Sequence, residues 1–344
     1  MRAAVFQGRR TVRLEERPIA MGEPGWALVR VRAAGICGSD LHFFTGELAE
    51  VFDSVRGHEI AGEVVDPADS GLAVGQPVVI HPVVACGECL ACRQGEFQIC
   101  HSIRFIGGDC PGGFAEYVSA PARNLYPFDV NVLPFEHAAL ADCVAVAVHA
   151  VNKVGLRRGE SAVVLGDGVI GLLMLQMALA EGADPVALVG KHDRNLAVAR
   201  QLGASLAING ATCDAVSTIG DAIGTVDVVL EAVGGASPPV DAGFKMLRKG
   251  GRLAMLGLTG ATKLEASWLA FVLFELSLVG IMGYGIHKGE DEMRQAIELM
   301  QSGRIALDPL ITHRVSLEQI DQGFQMMLER TTSEAIKVIV VPDR

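Results

Sequence analysis

Up to about residue 134 the apolar positions fall in short runs: MRAAVF (1–6), TVRLEE (11–16), WALVRVRAA (26–34), EIAGEVVD (59–66), PVVIHPV (77–83) and GGFAEYVSAP (112–121). Gly and Pro break them apart, so they predict short strands of an irregular or barrel-like β domain. From Phe135 the texture changes. FEHAALADCVAVAVHAVNKVG (135–155) predicts one long Ala-rich helix ending at Gly155. After it strand and helix patterns alternate: SAVVLG then GLLMLQMALAEGA, VALVG then NLAVARQLGA, VDVVLEA then VDAGFKMLRKGG, then RLAMLGL. Such alternation predicts a doubly wound parallel sheet.

The C-terminal part returns to helices and one strand. In DEMRQAIELMQSG the residues Met293, Ala296, Ile297 and Met300 keep helical spacing. Ser316 and Gln319 predict a capping box before LEQIDQGFQMML, and AIKVIVV predicts a strand. The layout is α/β: a β-rich domain (1–145 and 281–344) split by an inserted dinucleotide-type domain (146–280). The most apolar stretch, WLAFVLFELSLVGIMG (268–283), is interrupted by Glu275 and too short to span a bilayer, so it reads as a buried helix running into a strand.

Composition narrows the function. The 344 residues are 50% hydrophobic and 20% charged, as in a soluble globular protein, and the 40 glycines predict tight turns and close backbone approaches. A net charge of −11 without a basic stripe argues against nucleic acid as a partner. The arginine-rich N-terminus has no apolar core of a secretory signal. Eight cysteines without such a signal point to a reducing, cytoplasmic compartment, where cysteine clusters mean metal more often than disulfides.

Three motifs carry chemistry. VVLGDGVIGLL holds Gly166, Gly168 and Gly171 in a G-x-G-x-x-G pattern between a strand and a helix. The first glycine permits the turn, the second lets pyrophosphate approach, the third lets helix and strand pack, and Val169 and Ile170 open a helix whose free N–H groups face the phosphates. CGECLACRQGEFQIC holds Cys86, Cys89, Cys92 and Cys100, a four-thiolate set that suits a closed, structural Zn²⁺. The ferredoxin alternative needs a fourth cysteine three residues on and then Pro, which this chain lacks. His81 and His101 flank the lobe and are surplus to a Cys₄ set. GICGSDLH (35–42) places Cys37, Ser39, Asp40 and His42 close together, and GHEIAGEVV supplies His58 and Glu59. By itself Cys37 reads as a small buried residue, a lone nucleophile or one corner of a metal site.

Taken in order, GICGSDLH, GHE-x2-G, the four-cysteine lobe and GDGVIG resemble the zinc-dependent medium-chain alcohol and polyol dehydrogenases, including the sorbitol and threonine type, along nearly the whole chain. The resemblance implies a GroES-like catalytic domain and an inserted Rossmann domain. It implies a catalytic zinc on Cys37 and His58 with Glu59 beside it, and Asp40 orienting His58 from behind. Ser39 would accept the substrate hydroxyl proton and His42 would pass it toward solvent. Val233, Gly257, Leu258 and Met282 would line the dinucleotide with Gly166, Gly168 and Gly171. The third ligand falls in LADCVAV, where Asp142 takes the place of the polyol-type acid and Cys143 stands next to it as the alternative. A small-molecule alcohol or ketone substrate and a homodimer or homotetramer are implied too.

Cofactor choice is read at the end of the second strand, where an NAD-preferring domain places an acid about 20 residues past the glycine motif. Here that position is Gly190, with Lys191 and Arg194 within a turn. The pattern predicts NADP(H) preferred over NAD(H), with Asp193 as the one nearby acid that favours NAD. The readings set against a zinc-dependent dehydrogenase are a noncatalytic nucleotide-binding sensor or scaffold, which needs none of Cys37, Ser39, His42 and His58, and a zinc-free quinone or enone reductase, which lacks both metal sets.

Overall fold

Trp26–Gly35 is a ten-residue strand with most of its side chains buried, and it organises one seven-stranded sheet. It pairs antiparallel with Glu59–Asp66, with Tyr117–Pro121 along its first half, and with Lys337–Val340 at Ala34 and Gly35. Pro77–Ile80 and Leu125–Pro127 extend one edge, and Ile311–Val315 the other. A separate three-stranded sheet holds Val12–Glu16, Arg2–Gln7 and Phe52–Val55. Phe324 joins these layers: its ring stacks on Phe44 at 4.7 Å and meets Phe6 and Phe114 edge-on at 5.5 and 5.9 Å. Each such pair adds about 0.5–1.5 kcal/mol beyond area burial.

The computed structural model describes residues 1–235, 238–258 and 266–343. Two units result, Met1–Asp142 with Tyr284–Arg344, and Cys143–Gly283. The first is discontinuous because its C-terminal strand, Lys337–Val340, pairs beside Gly35.

In the second unit six parallel strands lie in the order Leu206–Asn209, Val186–Gly190, Ala162–Leu165, Val226–Glu231, Leu247–Met255 and Ser277–Gly280. Val163, Val164, Val228, Val229 and Leu230 have no exposed surface. Strands covered on both faces read as continuous apolar runs, which is why the pattern showed them clearly. The winding reverses between Ala162–Leu165 and Val226–Glu231, and the crevice at their carboxyl ends is the switch point where such sheets bind ligands.

Two expectations need correction. The run 135–155 is two helices, Phe135–Ala138 and Ala141–Val154, and the break puts Asp142 in the first turn of the second one. The apolar stretch from Trp268 forms a six-residue helix, Trp268–Leu273, but the helix has no buried residue. Phe271 packs on the sheet's core, whereas Leu269 and Val272 are 70% and 69% exposed. A six-residue helix is too short for a continuous buried stripe, so most of its apolar surface faces outward. Among the described residues no helix is long and apolar enough to cross a membrane.

Candidate active site and metal centres

Cys37 follows the strand Trp26–Gly35 by two residues and is the N-cap of the helix Gly38–Phe44. Its backbone N–H donates to Asp40 Oδ2 at 3.0 Å, so Asp40 is turned back beneath the helix and fully buried. His58 and Glu59 arrive on the neighbouring strand, where Glu59 is the register partner of Gly35. One ligand atom each from Cys37, His58 and Glu59 lies within 4.8 Å of the others. His58 Nδ1 stands 3.8 Å from Asp40 Oδ1, and Arg56 Nε 3.9 Å from the same oxygen.

The electrostatics suit a cation. Burial works against a charged His58, but Cys37 and Asp40 outweigh it and push the imidazole up to about 10. Burial raises the carboxyls of both Asp40 and Asp142. The half-buried Cys37 thiol and the buried His58 and Glu59 make a donor set of the kind a divalent metal takes up, and the neighbouring Asp40 Oδ1 has no hydrogen-bond partner.

Asp142 falls outside the tight trio, though it lies near enough to His58 and Glu59 for their charges to act on it. Its Oδ1 accepts a hydrogen bond from the Tyr284 hydroxyl at 2.7 Å. Cys143, the next residue on the same helix, is buried. Ser39 and His42 share one face of Gly38–Phe44, three residues apart, and both are half-buried. His42 Nδ1 is 2.6 Å from Oε2 of the exposed Glu47.

Two contributors escape the motifs. Lys337 has no exposed surface, forms an ion pair with Glu59, and donates from Nζ to the Ile36 carbonyl at 3.0 Å. A lone lysine inside AIKVIVV was the available signal. Tyr284 left no such mark. Gly35 is dictated by the same cluster, since a Cβ there would fall 1.8 Å from Glu59 Oε2 and 2.9 Å from Lys337 Cε.

In the cysteine lobe the Sγ atoms of Cys86 and Cys92 are 3.9 Å apart, Cys89 and Cys92 3.5 Å, and Cys89 and Cys100 3.9 Å. A tetrahedron with Zn–S bonds of about 2.3 Å has edges of about 3.8 Å, so the four thiols fit one zinc. His101 was set aside as surplus, yet a ring nitrogen lies within 4.8 Å of the Cys86, Cys89 and Cys100 sulfurs. Hydrogen bonds from the Cys92 backbone and the His101 side chain bring Cys89 down to about 5, while burial pushes Cys92 up to about 12. His81 lies elsewhere, its ring 4.6 Å from Tyr284, and burial lowers it to about 4.

In the second unit Gly166 has φ +118°, and a Cβ on Gly171 would fall 1.9 Å from the Gly166 carbonyl oxygen. Gly168 caps the helix Val169–Ala180, with Val169 and Ile170 half-buried in its first turn. Val233, Leu258 and Met282 follow three neighbouring strands and are 52%, 51% and 51% exposed, which leaves apolar surface at the carboxyl end of the sheet. Glu231, fully buried and absent from the motif reading, accepts from the amides of Val233 and Gly234 at 2.8 Å and of Gly257 at 3.1 Å. Gly190 ends its strand, Lys191 and Arg194 are exposed, and Asp193 Oδ1 accepts from Asn209 Nδ2 at 2.7 Å.

A sheet domain with a glycine-rich dinucleotide turn, joined to a β domain that gathers Cys, His and Glu, defines an oxidoreductase class. The chain matches the alcohol dehydrogenase GroES-like domain over residues 23–130 and the zinc-binding dehydrogenase family over residues 169–302. It is 33% identical to an L-threonine 3-dehydrogenase of Pyrococcus horikoshii, covering 91% of each chain. Identity is 32% to an erythritol/L-threitol dehydrogenase of Mycolicibacterium smegmatis, covering 99% of this chain and 98% of the relative. A zinc-binding dehydrogenase of Sinorhizobium meliloti, solved bound to NADP, superposes with a TM-score of 0.90 at 29% identity over 99% of each chain. The chain belongs to the zinc-dependent medium-chain dehydrogenase family, and it is an oxidoreductase of the alcohol and polyol type.

Proposed function

We propose that the protein transfers hydride between a secondary alcohol, in a polyol or an amino alcohol, and a nicotinamide dinucleotide. The observation that carries this is the trio Cys37, His58 and Glu59 beside the buried Asp40, next to the helix that presents Ser39 and His42. Relatives acting on L-threonine and on erythritol or L-threitol support these two substrate classes.

Cys37, His58 and Asp142 would hold a catalytic zinc with Glu59 beside it, and Cys86, Cys89, Cys92 and Cys100 a structural one. When bound, the first supplies Lewis acidity that makes an alcohol acidic near neutral pH. The chain's own groups do the rest. Asp40 keeps the His58 ring oriented, and Lys337 holds the Glu59 carboxylate in place. Ser39 takes the hydroxyl proton, and His42, backed by Glu47, hands it to solvent. Gly166, Gly168 and Gly171 leave room for pyrophosphate at the head of Val169–Ala180.

The dinucleotide choice expected from Gly190, Lys191 and Arg194 was NADP(H), which the NADP-bound neighbour supports. The space at Gly190 does not support it, because Asp167 fills that space. A cytoplasmic setting and a homodimer or homotetramer complete the proposal. Eight free cysteines support the first and the outward-facing helix Trp268–Leu273 the second.

The test combines elemental analysis with a spectrophotometric screen of polyols, secondary alcohols, amino alcohols and aldehydes against both dinucleotides. Two zinc ions per chain are expected, with turnover of at least one alcohol class. Asp142→Ala should lose one zinc and Cys143→Ala should not. A wild type with one zinc, and Cys37→Ala unchanged in metal and activity, would reject the catalytic centre; zinc lost only from Cys143→Ala would exchange the third ligand.

A further inference from the structure

Asp167, the residue between the first two glycines of the dinucleotide turn, does something its neighbours' sequence does not announce. Its side chain is only 8% exposed. Oδ2 accepts the backbone N–H of Lys191 at 2.8 Å and of His192 at 2.7 Å. His192 Nδ1 lies 3.0 Å from Oδ1 and 3.1 Å from Oδ2, and Asn195 Nδ2 donates to the Asp167 carbonyl at 2.9 Å. A Cβ on Gly190 would fall 2.4 Å from Asp167 Cβ and 2.5 Å from its Cγ and Oδ2. The glycine at the end of Val186–Gly190 is therefore no vacancy. An acid 23 positions earlier in the chain occupies the space where a strand-end acid's side chain would start.

We propose that Asp167 sets the cofactor choice of this protein, selecting NAD(H) by keeping the 2′-phosphate of NADP(H) out. The inference rests on the second unit binding a nicotinamide dinucleotide, as proposed above. The amides of Lys191 and His192 lead into the nine-residue helix Asp193–Gln201, of which His192 is the N-cap. In a doubly wound fold the adenosine ribose lies at this strand end. A 2′-phosphate there would compete for donors a carboxylate already holds, and two anions side by side repel each other. Ribose hydroxyls are neutral donors, and Oδ1, which accepts no backbone N–H, retains lone pairs for them.

Lys191 and Arg194 do not reverse this balance. Both are exposed, so water and salt screen their pull on a phosphate, whereas Asp167 acts from a buried position. With Asp193 the segment carries two acids against these two basic side chains.

The experiment titrates NADH and NADPH by nicotinamide fluorescence and measures kcat/KM for NAD and NADP with one alcohol. The wild type should favour NAD(H) by on the order of tenfold or more. Asp167→Asn, of nearly the same shape but uncharged, and Asp167→Ala should shift the NAD:NADP ratio toward NADP by a similar factor. Asp167→Ala with Gly190→Asp returns an acid to the strand end and should restore the NAD preference. A turn that merely collapses weakens both dinucleotides together and leaves the ratio alone. A wild type that favours NADPH, or a ratio unmoved in both single variants, overturns the proposal while leaving a dehydrogenase in place. A wild type that binds neither dinucleotide overturns the dehydrogenase reading instead.

Discussion

Lys337 sits on a strand whose four residues are all buried, and its ammonium faces the equally buried Glu59 carboxylate. Two charges taken out of water are held by each other, and removing one strands the other. Lys337→Met should therefore lower unfolding stability by about 3–5 kcal/mol, as for other broken buried pairs. Lys337→Met with Glu59→Gln should recover much of that loss, since neither charge then remains. Urea unfolding of the four proteins in the cycle checks this, and a loss below about 1 kcal/mol in the single variant would show that the pair is solvated. Tyr284 acts on the other acid of the site. Its hydroxyl donates to Asp142 Oδ1, which would aim the carboxylate and leave its second oxygen for a metal. Tyr284→Phe should weaken binding of one zinc per chain by about 10-fold or more, as outer partners of ligands do elsewhere. Competition with a chromophoric chelator reads that loss, and an unchanged affinity for both zinc ions would dissociate Tyr284 from the metal.

At the scale of elements, the cysteine lobe has its own small core of Val83, Ala85, Cys92 and Cys100, with Phe97, Ile103 and Phe105 against it. So small a core would gain its stability from the proposed zinc on its thiols. One bond tying the lobe back runs from Ile286 N, two residues beyond Tyr284, to the Gly95 carbonyl at 2.8 Å. Cys89→Ser should open the lobe to limited proteolysis between residues 86 and 100 and lower the Tm, with the hydride step kept in the folded fraction. Full stability with loss of the hydride step alone would contradict a structural role. These elements also show what the sequence could and could not reveal. The parallel strands were plain because burial on both faces leaves continuous apolar runs such as Ala162–Leu165 and Val186–Val189, and the glycine turn because Gly171 has no room for a Cβ. The grouping of Cys37 with His58 came from the family resemblance that the order of the motifs carries, and the structure brings a ligand atom of each within 4.8 Å of the other. Partnerships across the fold were not. Asp167 meets Lys191 and His192 more than twenty residues away, Tyr284 meets Asp142 across 142 positions, and Lys337 meets Ile36 across 301. No local spacing encodes such pairs; the tertiary fold does. The helix Trp268–Leu273 misled for another reason, since apolar residues signal contact with something but do not say that the contact is within the chain.

For the whole molecule, that helix is the clearest argument for association. Trp268, Leu269, Val272 and Leu273 are 54%, 70%, 69% and 65% exposed and lie on consecutive turns, just before the edge strand Ser277–Gly280. Single exposed apolar residues are ordinary on a soluble protein, but four on one short helix form a patch of the kind that marks an interface. The net charge of −11 makes casual self-association unfavourable, so a specific contact has to bury enough apolar surface to overcome repulsion between like-charged copies. An edge strand beside the patch offers unpaired backbone donors and acceptors as well. Leu269→Glu with Val272→Glu puts two carboxylates into the patch without touching a buried side chain of the monomer. The wild type should sediment as a dimer or tetramer at micromolar concentration. The double variant should dissociate at least one step toward the monomer while its circular dichroism remains that of the folded protein. Because repulsion between acidic copies is screened by salt, raising ionic strength should strengthen wild-type association. A monomeric wild type, or a double variant that sediments like the wild type at every concentration, would move the interface away from this helix.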